Sequence, residues 1–526
     1  MSLGRLLFLA FAIIWHHATS AVAQELWSPR WQIGALDVNS PSVWPLPALA
    51  AADSVEDRIE FSGYGAVQYS PGALLRGSFM SWPSAGGIGW QLGGTWHWHS
   101  ARWSSSGSME HGRIAGVNAT DWNEAWQWAT WDGMGWAWNP NQTDIGLVRA
   151  VGSIAYQASP GVQVEAGNRQ HHWGHGWRSL WLDRQAAPLP FLRLHAATER
   201  VRYIHLIGRS VHRSVGSPTD YPGAIPRSPG AFALKRHSWL AAHVVEVDLS
   251  TAWEGSLFGA VTWLANDSGY TRRFEPVYAA PFIAFRPAEY ALGSADNALV
   301  GASLTHRPQW ANETLRVHGQ LLLDELVVAE LLDPAQWWAN KWAVLGSIGW
   351  NSPNGAWKAV VEACAVRPYT YAHTATAQSW THNRQPLAHP AGSNFIEGRS
   401  HLQWKAEPWH VHMGMVMRRQ GIDERVELDK TPEFSIGADP LLSYSSRPAD
   451  YGVGLPWDGD GLAGETDIIN RLLVWVEMAY DVAQVQEHQM FVRGLQHRAI
   501  GQRTDENWWR IECGIRLNRV LEERNW

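Results

Sequence analysis

Residues 470–480 read Asn-Arg-Leu-Leu-Val-Trp-Val-Glu-Met-Ala-Tyr, and apolar side chains occupy every second position of this stretch. These apolar positions are Leu472, Val474, Val476, Met478 and Tyr480. Arg471 and Glu477 point to the opposite side, because successive strand residues face opposite ways. The stretch is about ten residues long, which is the length of a tilted β-strand that crosses a membrane. The pattern therefore predicts a strand with one apolar and one charged face.

The same period of two residues recurs along the chain. It is present in Gly89–His99, Leu147–Gln157, Trp357–Val366, His410–Arg418 and Trp508–Asn518. Two folds have such strands: a membrane barrel with a polar lumen, and a soluble sandwich whose apolar face is its core. Strand length, tryptophans near the segment ends and the scarcity of helical periodicity favour the barrel. We therefore predict an all-β protein, a transmembrane antiparallel β-barrel.

The N-terminal residues have the features of an export signal. Arg5 is the only charged residue of Met1–Ala23, Leu6–Trp15 is an unbroken apolar run, and Ala21-Val22-Ala23 forms a small-x-small cleavage site. The apolar run is too short to span a bilayer as a helix. We predict a signal peptide at residues 1–23, a periplasmic or plug segment at 24–59 and the barrel at 60–526.

Composition narrows the possible partners. The net charge is −7 with both signs mixed throughout, which argues against nucleic acid as a partner. Cys364 and Cys513 are the only cysteines, so disulfides are not the main support of this exported chain. The 35 tryptophans are the unusual feature. Tryptophan accumulates at membrane–water interfaces and also in sugar-binding clefts, where the indole covers the apolar face of a pyranose.

A long segment rich in glycine, histidine, tryptophan and arginine joins two of the predicted strands. Residues 168–194 read Asn-Arg-Gln-His-His-Trp-Gly-His-Gly-Trp-Arg-Ser-Leu-Trp-Leu-Asp-Arg-Gln-Ala-Ala-Pro-Leu-Pro-Phe-Leu-Arg-Leu. Hairpin loops usually have only about two to five residues, so this loop is more than a connection. Arginine binds carboxylates such as those of uronic acids with two parallel hydrogen bonds, and tryptophan supplies a stacking face. We hypothesise that Arg169, Trp173, Trp177 and Arg178 form or support a polysaccharide-binding surface; the alternative is that they knit the loop to the barrel wall.

This loop resembles that of the Wzi-type capsule-assembly proteins, in the order Arg-Gln-x-x-Trp-Gly-x-Gly-Trp-Arg-Ser-Leu and then Pro-x-Pro-Phe-Leu-Arg-Leu. Similar stretches follow at Tyr278–Leu299 and at residues 319–325, 337–342, 367–373 and 385–390. They are most similar to a branch of the family that includes surface motility proteins of gliding bacteria. The resemblance covers roughly Gly161–Phe395. It implies a single outer-membrane barrel of about 18 strands that binds or organises capsular polysaccharide during capsule assembly or attachment, without enzymatic activity.

The partners expected on this basis are surface polysaccharide, outer-membrane lipid and the outer-membrane assembly machinery, with no metal and no cofactor. Two other interpretations remain open. The first is a gliding-motility or adhesion protein built on the same barrel. The second is a secreted carbohydrate-active enzyme of β-rich fold.

Two groups of polar residues have competing interpretations. The spacing of His171, His172 and His175 matches no helical zinc motif, which favours structural hydrogen bonding over a metal site. Asp324 and Glu325 suggest the paired carboxylates of a glycosidase, but neighbours on a strand point to opposite faces. The sequence contains no convincing nucleophile elbow, P-loop or dinucleotide fingerprint.

Overall fold

The computed structural model describes residues 58–70, 87–115, 130–131, 135–138, 144–215, 233–267, 270–271, 274–281, 284–294, 296–311, 314–325, 327, 338–383, 385–423, 435–447, 467–482, 489–501 and 505–517. The predicted signal peptide lies outside these ranges, as does the predicted N-terminal segment apart from its last two residues. Those two residues belong to the first strand, which begins at Arg58.

In these ranges, eighteen strands form a closed antiparallel ring. They are β1 (Arg58–Ser70), β2 (Gly87–His99), β3 (Trp103–Ala115), β4 (Asp144–Ser159), β5 (Val162–Arg169), β6 (Leu189–Ala197), β7 (Val201–Val215), β8 (Ala233–Asp248), β9 (Trp253–Leu264), β10 (Asn297–His306), β11 (Leu315–Glu325), β12 (Lys341–Asn351), β13 (Trp357–Val366), β14 (Phe395–Ala406), β15 (Trp409–Ile422), β16 (Asp467–Asp481), β17 (Gln489–Ile500) and β18 (Asp505–Leu517).

Each strand pairs with its neighbour in the chain. The first and last strands also pair, with Val67 of β1 opposite Ile515 of β18, and this pairing closes the ring. The predicted antiparallel barrel of about 18 strands is confirmed.

Shorter elements lie in the connections between the barrel strands. They are the helices α1 (Pro276–Ala279) and α2 (Phe285–Leu292), the 3-10 turns Gln309–Ala311, Thr376–Gln378 and Tyr444–Ser446, and the short strands Thr130–Trp131, Gly135–Trp138, Asn266–Asp267, Tyr270–Thr271, Thr381–His382 and Gln385–Pro386. Among the described residues, no helix is both long enough and apolar enough to cross a membrane.

The two faces of the strands differ as the period of two residues predicts. On β13, Val361 is 58% exposed on the outside, whereas the adjacent Glu362 is buried in the lumen. On β15, Met417 is exposed outside, and His410 and His412 are buried inside. An exposed apolar wall around a polar interior is the arrangement of a barrel that meets lipid on its outside.

The two rims of the barrel have connections of different length. At one rim the connections are short, such as residues 160–161 between β4 and β5 and residues 407–408 between β14 and β15. At the opposite rim most of them are long, such as residues 170–188, 367–394 and 423–466. We call these the short-turn rim and the long-loop rim. The long connections bring the residues that fill and cover the lumen.

A tryptophan lies across two glycines on the outer wall near the start of the chain. Gly107 of β3 and Gly152 of β4 face each other, and Gly107 is also opposite Trp96 of β2. A Cβ atom at Gly107 would lie 2.3 Å from ring carbon Cζ2 of Trp96, and one at Gly152 would lie 2.9 Å from it. Only residues without a side chain leave room for the indole at these two positions.

Candidate functional site

The loop that joins β5 to β6 folds into the barrel lumen. We call residues 170–188 the first plug loop. Trp181 is buried and its ring stacks on Phe258 of β9, with ring centroids 5.0 Å apart and an interplanar angle of 5°. The indole nitrogen of Trp181 donates to the carbonyl of Leu321 at 3.0 Å. A Cβ atom at Gly301 would lie 2.4 Å from that nitrogen, so a glycine on β10 makes space for the plug.

A second connection, residues 367–394, packs on the first inside the lumen, and we call it the second plug loop. The indole nitrogen of Trp380 donates to the carbonyl of Trp181 at 2.7 Å, and the Tyr371 hydroxyl donates to the carbonyl of Leu180 at 3.0 Å. Burial raises the pKa of Tyr371 well above its ordinary value, so this hydroxyl remains a donor. Tyr371 also has a φ of 74°, a left-handed conformation that is strained for a bulky residue and is held here by the surrounding contacts.

The four residues predicted to form or support a glycan-binding surface all lie in or beside the first plug loop. Arg169 is the last residue of β5, and its guanidinium donates to Ser106 Oγ at 3.1 Å and lies 3.7 Å from Glu165. The Trp173 ring is 1% exposed and meets Phe258 edge to face, with centroids 6.0 Å apart. Trp173 thus packs the loop against the wall, and Arg169 connects β5, where the loop begins, to β3.

Trp177 and Arg178 attach the loop to β13. Their backbone N–H groups donate to the two carboxylate oxygens of Glu362, at 2.7 Å and 3.0 Å. The Trp177 ring is 3% exposed and touches His401 edge to face at 4.6 Å between centroids. Arg178 lies 3.7 Å from Asp183, and burial lowers its pKa to about 10. The side chains of Arg169, Trp173, Trp177 and Arg178 are thus engaged with the barrel interior, and their part in glycan binding remains a prediction.

The three histidines of the loop have structural partners. His172 donates from Nε2 to the carbonyl of Gly176 at 3.0 Å, and His175 donates from Nε2 to Glu254 at 2.7 Å. His171 packs edge to face on Phe191 at 4.6 Å. Burial lowers the pKa of His175 to about 4 and the pKa of His171 and His172 well below the usual range. Within the described ranges, no three His, Cys, Asp or Glu side chains are grouped so that they could hold a metal ion.

Asp324 and Glu325 are occupied by a lysine. Their carboxylates lie 3.2 Å and 3.5 Å from Nζ of Lys341, and Asp324 also accepts from the backbone N–H of Tyr371 at 2.8 Å. The expectation that strand alternation separates the two carboxylates fails here, because the pairing of β11 with β12 shifts register at this point. Lys341 thus pairs with both carboxylates, and the bond from Tyr371 to Asp324 holds the second plug loop to the wall.

Four side chains from three long connections meet at the long-loop rim. We call this the rim cluster, and its members are Trp338, His373, Tyr444 and Arg447. The Trp338 and Tyr444 rings lie 5.3 Å apart between centroids, and the His373 ring meets Tyr444 edge to face at 5.7 Å. The Arg447 guanidinium lies 4.5 Å from the centre of the Trp338 ring. Trp338, Tyr444 and Arg447 are partly exposed and His373 is buried.

The surroundings of the rim cluster are rich in hydroxyl groups. Thr374, Thr376 and Ser445 are exposed beside it, and the Ser443 hydroxyl donates to the carbonyl of Thr374 at 2.8 Å. Trp338 lies in the stretch 337–342 that resembles the Wzi-type proteins, but it was not predicted to belong to a binding site. Tyr444 and Arg447 lie in a segment without periodicity, so nothing in the sequence connected them with Trp338.

Comparison with solved structures gives a fold likeness over nearly the whole chain. One similar structure is Wzi, an outer-membrane protein involved in group 1 capsule assembly in Escherichia coli and described as a carbohydrate-binding β-barrel; it is 12% identical, the match covers 95% of this chain and 99% of Wzi, and the TM-score is 0.53. OprD of Pseudomonas aeruginosa is 10% identical over 87% of this chain and 95% of its own, with a TM-score of 0.42. OpdK of the same organism, solved with vanillate, is 7% identical over 87% and 98%, with a TM-score of 0.44.

No protein-family profile and no curated protein sequence matches this chain. The likeness to Wzi agrees with the closed ring and its apolar outer wall, and this protein is an outer-membrane β-barrel. Such barrels have short periplasmic turns and longer extracellular loops, so the long-loop rim faces the outside of the cell.

Proposed function

We propose that this barrel binds and organises surface polysaccharide at its extracellular rim during capsule assembly or attachment, and that it does so without enzymatic activity. The observation that carries the proposal is the rim cluster, a partly exposed aromatic and basic surface above a lumen that two loops fill. The description of Wzi as a carbohydrate-binding barrel supports the same function for this fold. In this proposal the partners are surface polysaccharide and outer-membrane lipid, and the outer-membrane assembly machinery inserts the chain.

The chemistry of the rim cluster suits an acidic polymer. The Trp338 and Tyr444 rings can cover the apolar faces of sugar rings. The Arg447 guanidinium can donate two parallel hydrogen bonds to a sugar carboxylate, and its planar shape favours that geometry over the one a lysine would offer. The exposed hydroxyls of Thr374 and Ser445 add donors and acceptors for sugar hydroxyls.

Arg169, Trp173, Trp177 and Arg178 act from below in this proposal. They fix the first plug loop, the first plug loop holds the second through Tyr371 and Trp380, and the second contributes His373 to the rim cluster. Substitution of any of these four residues therefore weakens glycan binding by displacing the plug loops. They support the binding surface without touching the polymer.

The direct test is substitution of Tyr444 and Arg447 by alanine, each separately. Losing a stacked ring or a charge-assisted hydrogen bond removes about 1–3 kcal/mol of binding, which corresponds to about 5- to 150-fold weaker association with purified acidic polysaccharide. Trp310→Ala is the matched control, because this tryptophan is 80% exposed at the opposite, short-turn rim. The control keeps full binding if the rim cluster is the site.

Assembly must be normal for the result to be interpreted, and the mobility shift between unheated and boiled gels checks it. Correctly assembled Tyr444→Ala and Arg447→Ala proteins that retain full polysaccharide binding would refute the proposed site. Trp177→Ala and Arg178→Ala test the supporting role. We expect them to weaken binding and to loosen the plug together, whereas the rim variants weaken binding and leave the plug intact.

A further inference from the structure

One extracellular connection lies against the outside of the barrel wall. Leu257 of β9 faces lipid and is 68% exposed, whereas Val261 and Trp263 on the same face of that strand are fully buried. Tyr278 of α1 covers them, with its ring 5.0 Å from the Trp263 ring between centroids. Phe285 of α2 stacks on His243 of β8 at 4.4 Å. We call residues 274–281 and 284–294 the strap.

The inner face of the strap is a small hydrophobic core of its own. This core contains Ala241, Val261, Trp263, Tyr278, Phe285 and Ala298. Asp296, just before β10, ties the strap to the rim, because it accepts from the Tyr278 hydroxyl at 2.8 Å and from the Ser294 hydroxyl at 2.7 Å. It also accepts from Gln378 of the second plug loop at 3.3 Å. The strap is therefore a fixed layer of the wall.

The outer face of the strap is apolar. Its exposed residues are Phe274, Pro276, Val277, Ala280, Pro281, Ala284, Pro287, Tyr290, Ala291 and Gly293. Tyr290 is the most exposed aromatic residue of the strap, at 73%. Among the described charged residues of the strap, Glu275 and Glu289 are buried. The side chain of Arg286 is 37% exposed; its guanidinium donates to Glu289 at 2.8 Å and lies 5.1 Å from the centre of the Tyr290 ring.

Apolar surfaces of this kind on a folded protein mark contacts with membranes or with other proteins. Here the surface continues the lipid-facing wall, where Leu257, Val300 and Leu304 are exposed on β9 and β10. Backbone groups at the ends of the two helices of the strap have hydrogen-bond partners. The Glu275 side chain accepts from the N–H of Val277, and the N–H of Gly293 donates to the carbonyls of Glu289 and Tyr290 at the end of α2. These bonds lower the cost of placing short helices beside lipid.

The wall beneath the strap explains why such a layer is needed. His205 and His243 are paired across β7 and β8 on the outward face, with ring centroids 6.2 Å apart. Neither ring nitrogen of His205 has a hydrogen-bond partner among the described residues, and its side chain is buried. Two imidazoles facing acyl chains are costly. Phe285 covers them both.

We propose that the strap is a lipid-contact element immersed in the outer leaflet, where its apolar face meets acyl chains and its aromatic residues lie near the headgroups. It replaces lipid as the neighbour of the histidine pair. The strap thus widens the barrel on one side. On that side the strap meets the acyl chains, whereas elsewhere the strands of the wall meet them directly.

Nitroxide labelling in bilayers tests this placement. In a Cys513→Ser background, Tyr290→Cys carries the label, Leu257→Cys is the lipid reference and Ser445→Cys is the water reference; the remaining Cys364 is buried. We expect the label at 290 to collide often with dissolved oxygen and rarely with a water-soluble nickel chelate, as the label at 257 does. The label at 445 should collide often with the chelate and less often with oxygen. If Tyr290→Cys fails to assemble, Ala291→Cys serves as the second exposed position.

Two results would overturn the proposal. Collision of the label at 290 with the nickel chelate as frequent as at 445 would place the strap in water. Shielding from both reagents, together with dipolar broadening between labels, would show that a second copy of this chain covers the strap in place of lipid. Neither result bears on polysaccharide binding at the rim cluster, which is assayed separately.

Discussion

Replacing Glu362 by alanine removes the acceptor of two backbone N–H groups in the first plug loop, those of Trp177 at 2.7 Å and Arg178 at 3.0 Å. A buried donor left without an acceptor costs about 1–3 kcal/mol, so Glu362→Ala should weaken docking of the loop by about 2–6 kcal/mol. Glu362→Gln keeps an acceptor oxygen and the shape of the side chain. Its effect should be smaller, because one of the two hydrogen bonds survives.

Trypsin gives the assay, because the first plug loop contains Arg178 and Arg184, which the protease reaches only when the loop leaves the lumen. If the loop opens and closes faster than it is cut, cleavage follows the population of the open state. A loss of about 2 kcal/mol then makes cleavage about 30-fold faster, since about 1.4 kcal/mol corresponds to a factor of ten. The fragments are identified by mass spectrometry, and unheated gels show that the barrel itself is intact.

Val361→Ala is the matched control, because Val361 is the preceding residue of the same strand and faces lipid. It should leave the cleavage rate of the plug unchanged. A Glu362→Ala protein that assembles normally and resists trypsin as well as the native protein would refute the reasoning. The loop would then be held by its aromatic contacts, and the two hydrogen bonds to Glu362 would contribute little.

Burial lowers the pKa of His175 and His389 to about 4, so each of them binds a proton on unfolding between pH 6.5 and 4. The free energy of unfolding is therefore unaffected by these groups above about pH 6.5. Below that pH it falls by about 1.4 kcal/mol for each pH unit and each histidine. Calorimetry of the native protein and His389→Gln checks this, and an equal pH dependence of both would contradict it. Gly107→Val forces a side chain onto Trp96 and should cost about 1–3 kcal/mol, seen as a lower melting temperature; an unchanged one would show that the indole moves freely. Ile511 is exposed on the outer face of β18, so Ile511→Arg should cost about 2–4 kcal/mol near the membrane centre and reduce the assembled fraction on unheated gels, while Ile511→Val assembles normally.

The strands could be predicted from the sequence because every second residue of a membrane strand faces lipid and is therefore usually apolar. Trp357–Val366 is a strand with the predicted bounds, and residues 470–480 lie within β16. The bilayer accepts few polar side chains on the outer face, so the alternation persists wherever the chain crosses. The alternation also predicted the barrel, which the pairing of β1 with β18 closes, whereas the number of about 18 strands came from the family resemblance and is confirmed.

The position of the first plug loop could not be predicted in this way. Tryptophan and arginine serve equally well on an exposed sugar platform and in a packed plug, so the composition of residues 168–194 fitted both. The contacts that determine the position of the loop are between residues far apart in the chain, such as Trp177 with Glu362 and Trp181 with Trp380. The strap presents the same difficulty, since its outward position depends on Trp263 and Asp296 and leaves no periodic signal.

The lumen-facing polar residues explain how an irregular loop can exist inside a barrel. A loop without strand or helix leaves its backbone groups unpaired, and buried groups of this kind need partners. Gln320 of β11 accepts from the N–H of Leu180 at 2.7 Å and donates to the carbonyl of Trp173 at 3.1 Å. Arg316 donates to the carbonyl of His175 at 2.9 Å, and Glu362 of β13 accepts hydrogen bonds from the N–H groups of Trp177 and Arg178. Polar strand residues that would otherwise face water in the lumen thus take the place of secondary structure for the plug. Because these partners come from β11 and β13, which follow the loop by more than 100 residues in the chain, the conformation of the loop depends on the closed barrel and not on its own sequence alone.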